Sequence, residues 1–159
     1  MSRPRLALYQ PDIPQNAGAL LRLAACLSFG VDVIEPCGFL WDEKRMRRAG
    51  MDYIDAVEVT RHTSWTAFQE SCRLDGRRIM LLSTKASERL DRFHFQAHDV
   101  IMVGRESAGV PDSVADAADA RVRIPLAAGV RSLNVALAAS IAMAEALRQQ
   151  DLFPCEVPP

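Results

Sequence analysis

Two stretches of this chain, Ile79-Met80-Leu81-Leu82 within residues 78–83 and Val100-Ile101-Met102-Val103 within residues 99–104, are apolar at every position rather than at alternate ones. A strand with one wet face alternates, whereas a strand covered by helices on both faces does not, and such strands belong to parallel sheets whose crossovers carry the helices. The two runs are therefore expected in the middle of a sheet. The surrounding segments supply its other parts. Residues 5–9 read as a first strand, and the residues after Asn16 place Leu20, Leu21, Leu23, Ala24 and Leu27 at helical spacing until Gly30 stops the helix. Cys26 is expected on the buried face of that helix, as core rather than nucleophile. Residues 31–35 form a second strand ended by Pro36, residues 56–60 a third, and Ser64 caps a helix running through Cys72. Residues 122–125 are a last short strand. Residues 133–149, rich in Ala and Leu with no Gly or Pro, form the strongest helix. The expected class is α/β, a mostly parallel sheet with helices on both faces, built as one domain over residues 1–159 with 152–159 as a tail.

Composition narrows the function. A formal net charge of -1 lacks the basic balance of a general nucleic-acid binder, so any RNA contact has to be local. The apolar runs are too short for a membrane span and no signal-like segment opens the chain, which predicts a cytoplasmic protein. Cys26, Cys37, Cys72 and Cys155 lie far apart, without a CxxC pair or a histidine at zinc-ligand spacing, so neither metal nor disulfide is expected. His62, His94 and His98 are scattered and are read as satisfied or solvated side chains.

Three loops at expected strand ends hold the informative residues, and in open α/β sheets ligands sit at the carboxyl ends of strands. The first, Pro14-Gln15-Asn16-Ala17-Gly18, opens the first helix and puts Arg22 six residues beyond Asn16. Either an amide and a guanidinium face the end of the sheet, or Asn16 caps the helix and Arg22 is solvated. The second, Gly104-Arg105-Glu106-Ser107-Ala108-Gly109-Val110-Pro111, follows the second apolar run directly. Its glycines either bring backbone amides close to a ligand or serve an ordinary turn with Pro111 at the first helical position. The third runs from Ile124-Pro125-Leu126 to Ser132-Leu133-Asn134, with Ser132 as the cap of the final helix. No G-x-G-x-x-G and no G-x-x-x-x-G-K-[ST] occurs, which removes the common nucleotide-binding loops.

Taken in order, the three loops resemble the motifs of the SPOUT superfamily, in particular its SpoU branch of RNA ribose 2'-O-methyltransferases, over nearly the whole chain. Asn16 with Arg22 is similar to the first motif, Gly104-x-Glu106-x-x-Gly109-Val110-Pro111 to the second, and Ile124-Pro125 with Ser132-Leu133-Asn134 to the third. The absence of an added RNA domain, together with Glu35-Pro36-x-Gly38-Phe39-x-Trp41-Asp42 and Arg47-Arg48-Ala49-Gly50-x-Asp52-Tyr53, resembles the members that methylate the wobble nucleotide of certain transfer RNAs, leucine isoacceptors among them. The resemblance implies a C-terminal trefoil knot, which nothing in the periodicity predicts. It also implies S-adenosylmethionine as methyl donor with S-adenosylhomocysteine as product, tRNA as substrate, a homodimer, and no metal. By the same resemblance the cofactor would be held by Leu82, Ser83 and Thr84, by Gly104, Glu106 and Gly109, and by Ile124, Leu126, Ser132 and Leu133. Arg22, Asn16, Glu106 and Asn134 would form the catalytic set. Arg22 would act either as a base in a perturbed site or as a fixed charge that stabilises the developing alkoxide, because deprotonating an arginine is costly. The densest basic run, Lys44-Arg45-Met46-Arg47-Arg48, would contribute Lys44, Arg45, Arg47 and Arg48 to RNA phosphates, although such runs are often only solvated turns. The rival expectations are a catalytically inactive RNA-binding module of the same fold, and an enzyme methylating a base nitrogen, another tRNA position or ribosomal RNA.

Overall fold

The structure is a computed structural model that describes residues 2–48 and 52–156. The chain runs β1 (Arg5–Tyr9), α1 (Pro14–Leu27), β2 (Gly30–Ile34), α2 (Glu43–Arg48), a 3-10 turn (Asp52–Ala56), β3 (Val59–His62), α3 (Trp65–Leu74), β4 (Ile79–Leu82), β5 (Glu88–Arg89), a second 3-10 turn (Leu90–Arg92), β6 (Val100–Val103), α4 (Asp112–Ala117), β7 (Ala120–Arg123) and α5 (Val135–Gln149). The strands form one seven-stranded sheet in the order β3-β2-β1-β6-β4-β7-β5, and every pairing is parallel. The two apolar runs are neighbours in it, with β6 at its centre.

Their continuous apolar character follows from burial on both sides. Ile101, Val103 and Met80 point into one core with Leu20, Leu21 and Ala24 of α1 and Ala139, Met143, Ala146 and Leu147 of α5. Val100, Met102, Ile79 and Leu81 point into a second core with Phe68 and Cys72 of α3 and Val114 of α4. The α/β class with helices on both faces is thus realised.

Several local expectations are displaced. The helix α1 ends at Leu27 with Ser28 in the left-handed region as its C-cap (φ 58°), donating its amide to the Ala24 carbonyl, so Gly30 opens β2 rather than stopping the helix. Cys26 is exposed, not core. It lies two residues, about 200° of helical rotation, beyond the buried Ala24 and therefore on the opposite side of α1. The third strand begins at Val59 instead of residue 56, because its register is fixed by Val31 pairing with Val59, while residues 52–56 turn inward to bury Ile54. Residues 49–51, which include Ala49 and Gly50 of the motif read above, and residues 157–159 of the expected tail lie outside the described residues. Leu152, the first residue of that tail, is buried, and its carbonyl accepts from Arg3.

One polar cluster is built into the second core. Asp32, 6% exposed, accepts from Arg5 Nε at 2.7 Å and meets His62 Nε2 at 2.8 Å, while Arg5 also reaches Thr60 Oγ1 at 3.2 Å. The His62 ring packs edge-on against Phe68, so this is a satisfied core histidine. Replacing Asp32 by alanine takes this partner from the His62 imidazole and leaves the Arg5 guanidinium with the exposed Glu58 at 3.0 Å and Thr60, and the expected cost is about 3 kcal/mol. Urea denaturation of D32A checks this, and a loss under about 1 kcal/mol would contradict the cluster's structural role.

Candidate active site

Parallel pairing in the order β6-β4-β7 sets the carboxyl ends of three consecutive strands side by side. From those ends leave the segments at Gly104, at Leu82-Ser83-Thr84 and at Ile124, the three places expected to hold a ligand. The Ser83 amide donates to the Val122 carbonyl at 2.9 Å, extending the β4–β7 ladder beyond Leu82. Ser83 Oγ then accepts from the Lys85 amide at 3.2 Å, which turns the chain. Leu82, Ile124 and Leu126 are half-buried, whereas Thr84, Ser132 and Leu133 are exposed.

The loop after β6 closes on itself. The Arg105 amide donates to the Gly109 carbonyl at 3.0 Å, and the Gly109 amide returns to the Arg105 carbonyl at 2.8 Å. A Cβ on Gly104 would lie 2.7 Å from the Gly109 Cα and carbonyl carbon, and Gly109 itself has φ +63°. Both glycines are therefore required by the backbone path.

Glu106 at the tip of this loop joins it to the start of α1. Its carboxylate accepts from the Asp12 amide at 3.0 Å and from Asn16 Nδ2 at 3.3 Å, and its own amide donates to Asp12 Oδ1 at 3.2 Å. The Ser107 hydroxyl donates to Asp12 Oδ2. Asn16 Oδ1 in turn accepts from Asn134 Nδ2 at 3.3 Å. Residues Asn16, Glu106 and Asn134, far apart in sequence, form one hydrogen-bonded chain across three loops.

Three expectations at helix starts change. The N-cap of α1 is Ile13 with Pro14 just inside, so Asn16 sits within the first turn and its side chain is free to reach Glu106. The N-cap of α5 is Asn134, whose Oδ1 accepts from Ala136 at 2.8 Å and Leu137 at 3.3 Å, while Ser132 is exposed two residues earlier. Both serine and asparagine cap helices well, and here the amide wins because its Nδ2 also reaches Asn16. Pro111 likewise precedes α4 as its N-cap instead of opening it. Asp12 escaped the sequence reading altogether; the available signal was an acid between Pro11 and Pro14 directly after a strand.

The Asp12 carboxyl is held below the usual carboxylate range, first by hydrogen bonding with the Glu106 side chain and then by the Ser107 hydroxyl. A carboxyl lowered in the folded state contributes stability above its unfolded pKa and loses that contribution as pH falls through the folded value. The difference in unfolding midpoint between the wild type and Asp12→Asn should be constant above about pH 5 and close below about pH 4. A gap that persists unchanged in acid would contradict the clamp.

Arg22 is not part of this network. It lies exposed on α1, about 9 Å along the axis from Asn16, with its guanidinium 5.0 Å from the centroid of the Tyr53 ring. The basic run forms α2, anchored by the buried Met46. Arg47 meets Asp55 at 2.5 Å and Glu43 at 3.8 Å, and Arg45 meets Asp42 at 3.8 Å, while Lys44 and Arg48 are exposed. Among the described residues no group of three or more His, Cys, Asp or Glu side chains can hold a metal ion, and no helix is long and apolar enough to cross a membrane.

A sequence model of the SpoU rRNA methylase family matches residues 3–144, the span that carries the whole sheet and all three loops. The chain belongs to the SpoU rRNA methylase family. Within that family it is 56% identical over 144 residues to the tRNA (cytidine(34)-2'-O)-methyltransferase of Beijerinckia indica, covering 91% of this chain and 90% of that one. A structure solved for insights into the 2-OH methylation of C/U34 on tRNA superimposes with a TM-score of 0.87 at 38% identity, over 94% of this chain and 97% of the other. The AdoMet-bound rRNA methyltransferase from Sinorhizobium meliloti superimposes with a TM-score of 0.82 at 26% identity, over 93% of this chain and 57% of that longer one.

The residues at these strand ends would suit an adenosyl ligand. Half-buried aliphatic residues Leu82, Ile124 and Leu126 leave adjacent strand ends with a glycine-lined loop beside them, an apolar and backbone-rich setting suited to an adenine.

Proposed function

We propose that this chain methylates the ribose 2'-hydroxyl of the wobble nucleotide of transfer RNA, cytidine(34) or 5-carboxymethylaminomethyluridine(34), in leucine isoacceptors, with S-adenosylmethionine as donor. The observation that carries the reading is the hydrogen-bonded chain Glu106–Asn16–Asn134, which ties the loops after β6 and β7 to the start of α1, the helix that bears Arg22 about 9 Å further along its axis. Relatives of nearly equal length named for this reaction support the choice of nucleotide. The intact polar chain argues against an inactive RNA-binding module.

When bound, S-adenosylmethionine supplies a methyl group already activated on a sulfonium, so no metal is needed. What remains for the protein is to hold the ribose in line and to handle the hydroxyl proton. Leu82, Ser83, Thr84, Gly104, Gly109, Ile124, Leu126, Ser132 and Leu133 are assigned to the cofactor. Glu106 fixes Asn16, and Asn134 holds the other side of the same amide, so the first turn of α1 presents one orientation to the ribose. Arg22 receives the charge that develops on the 2'-oxygen, as a base or as a fixed cation.

The reading includes the trefoil knot that the family resemblance implies for the C-terminal part of the sheet. Exposed Leu133, Leu137 and Ile141, at successive steps of four residues, support a homodimer packed through α5. The reaction is assigned to the cytoplasm, where tRNA is the substrate.

Incubation with methyl-labelled cofactor and bulk tRNA, followed by digestion to nucleosides, tests the reading. Label in a 2'-O-methylated cytidine or uridine is expected, and label on a base, or none, would overturn it. Removing the guanidinia of Arg47 and Arg48 should weaken tRNA binding and lower the slope of log affinity against log salt by about 1.4–1.8, while cofactor binding stays unchanged. Unaltered tRNA affinity in the double variant would remove α2 from the RNA interface.

A further inference from the structure

We infer that Tyr53 is a positioning residue for Arg22, an inference that rests on the role given to Arg22 above. Most arginines whose contacts define this fold face carboxylates: Arg5 meets Asp32, Arg47 meets Asp55, Arg78 meets Asp99 and Arg148 meets Glu145. Arg22 instead faces the Tyr53 ring, with its guanidinium carbon 5.0 Å from the centroid. A carboxylate would neutralise the guanidinium and compete with a substrate oxygen. An aromatic face orients the cation while leaving its charge and N–H donors available.

The ring is itself held in place. Tyr53, 42% exposed, precedes Ile54, which is 6% exposed and belongs to the same core as Leu20, Leu21 and Ala24 of α1. The buried neighbour fixes the turn against the helix that bears Arg22. Two residues further, Asp55 is joined to Arg47 of α2 at 2.5 Å. One short 3-10 turn therefore carries an anchor into the core, the aromatic platform under Arg22, and a tie to the basic helix assigned to tRNA. The long, exposed Arg22 side chain would otherwise sample many rotamers, and the ring selects among them before substrate arrives.

Three measurements on the full chain test this. In the cofactor-free wild type, the ring current of Tyr53 should move the Arg22 Nε–H resonance upfield. Tyr53→Phe should keep that shift and Tyr53→Leu should abolish it. In steady state, Tyr53→Leu should lower kcat about 10- to 100-fold, with the KM for S-adenosylmethionine and the affinity for tRNA within about threefold of wild type, and Tyr53→Phe should restore kcat. In the Arg22→Ala background, Tyr53→Leu should add nothing, because the two act as one unit. An Arg22 resonance without ring-current shift in the wild type overturns the inference even if Tyr53→Leu does not fold. So does a Tyr53→Phe variant as impaired as Tyr53→Leu. If Arg22→Ala is inactive while Tyr53→Leu matches wild type, only the positioning role fails. If Arg22→Ala is itself fully active, the role of Arg22 fails and the positioning role with it.

Discussion

Replacing Arg22 by alanine should lower methyl transfer to tRNA by about 10²–10³-fold, the loss typical of removing one preorganised group that meets developing charge. The substitution is well suited to isolate chemistry from folding. Arg22 is exposed on α1 and outside the Glu106–Asn16–Asn134 chain, and alanine is at least as favourable in a helix interior. Thermal stability and cofactor affinity should therefore stay near wild type while kcat falls. Arg22→Lys separates the two versions of the mechanism. A fixed-charge role is partly retained by an ammonium, whereas a base in a perturbed site should return a displaced pH profile. Near-full activity of the lysine variant with an unchanged pH profile would sink both versions.

Gly104→Val should abolish measurable cofactor binding and destabilise the fold, the largest combined effect expected from a single substitution here. The added Cβ would stand 2.7 Å from Gly109 Cα, and the atoms it meets are backbone, which cannot swing aside as a side chain can. Relief requires opening the paired Arg105 and Gly109 amides, and that withdraws Glu106 from Asp12 and Asn16. Overpacking alone is expected to cost about 1–3 kcal/mol. Calorimetric titration with S-adenosylmethionine, beside a urea melt, reads both consequences. Gly129→Ala is the control: its φ of +86° carries strain, but nothing lies within 4 Å of the new methyl, so only the backbone cost of roughly 1–2 kcal/mol applies. A Gly104→Val protein that binds cofactor as tightly as Gly129→Ala would show that the closure of this loop is unnecessary.

The α/β class was legible because Ile79–Leu82 and Val100–Val103 are apolar on both faces, a property of single strands that needs no knowledge of their neighbours. The three loops were legible as well, since glycines and polar residues directly after such strands are local signals. What escaped depends on partners distant in sequence. Whether Ser132 or Asn134 caps α5 is decided by Asn16, more than a hundred residues away. Asp12 gains its meaning only once Glu106 and Ser107 are folded against it. Tyr53 looked like one member of a motif until the turn at Asp52–Ala56 put its ring under Arg22. The order of strands, too, is carried by no individual segment, because any of these strands could pair with any other in isolation.

That order has a consequence for the nascent chain. Residues 5–62 can pair as β3-β2-β1 while still attached to the ribosome, but the other edge of β1 is reserved for β6, whose Val100 pairs with Arg5. Strand β4 emerges earlier than β6 yet must leave that edge vacant, because its own place is on the far side of β6. For the time it takes to translate some forty further residues, an apolar strand edge stands open to other chains, and chaperone capture or mispairing belongs to that interval.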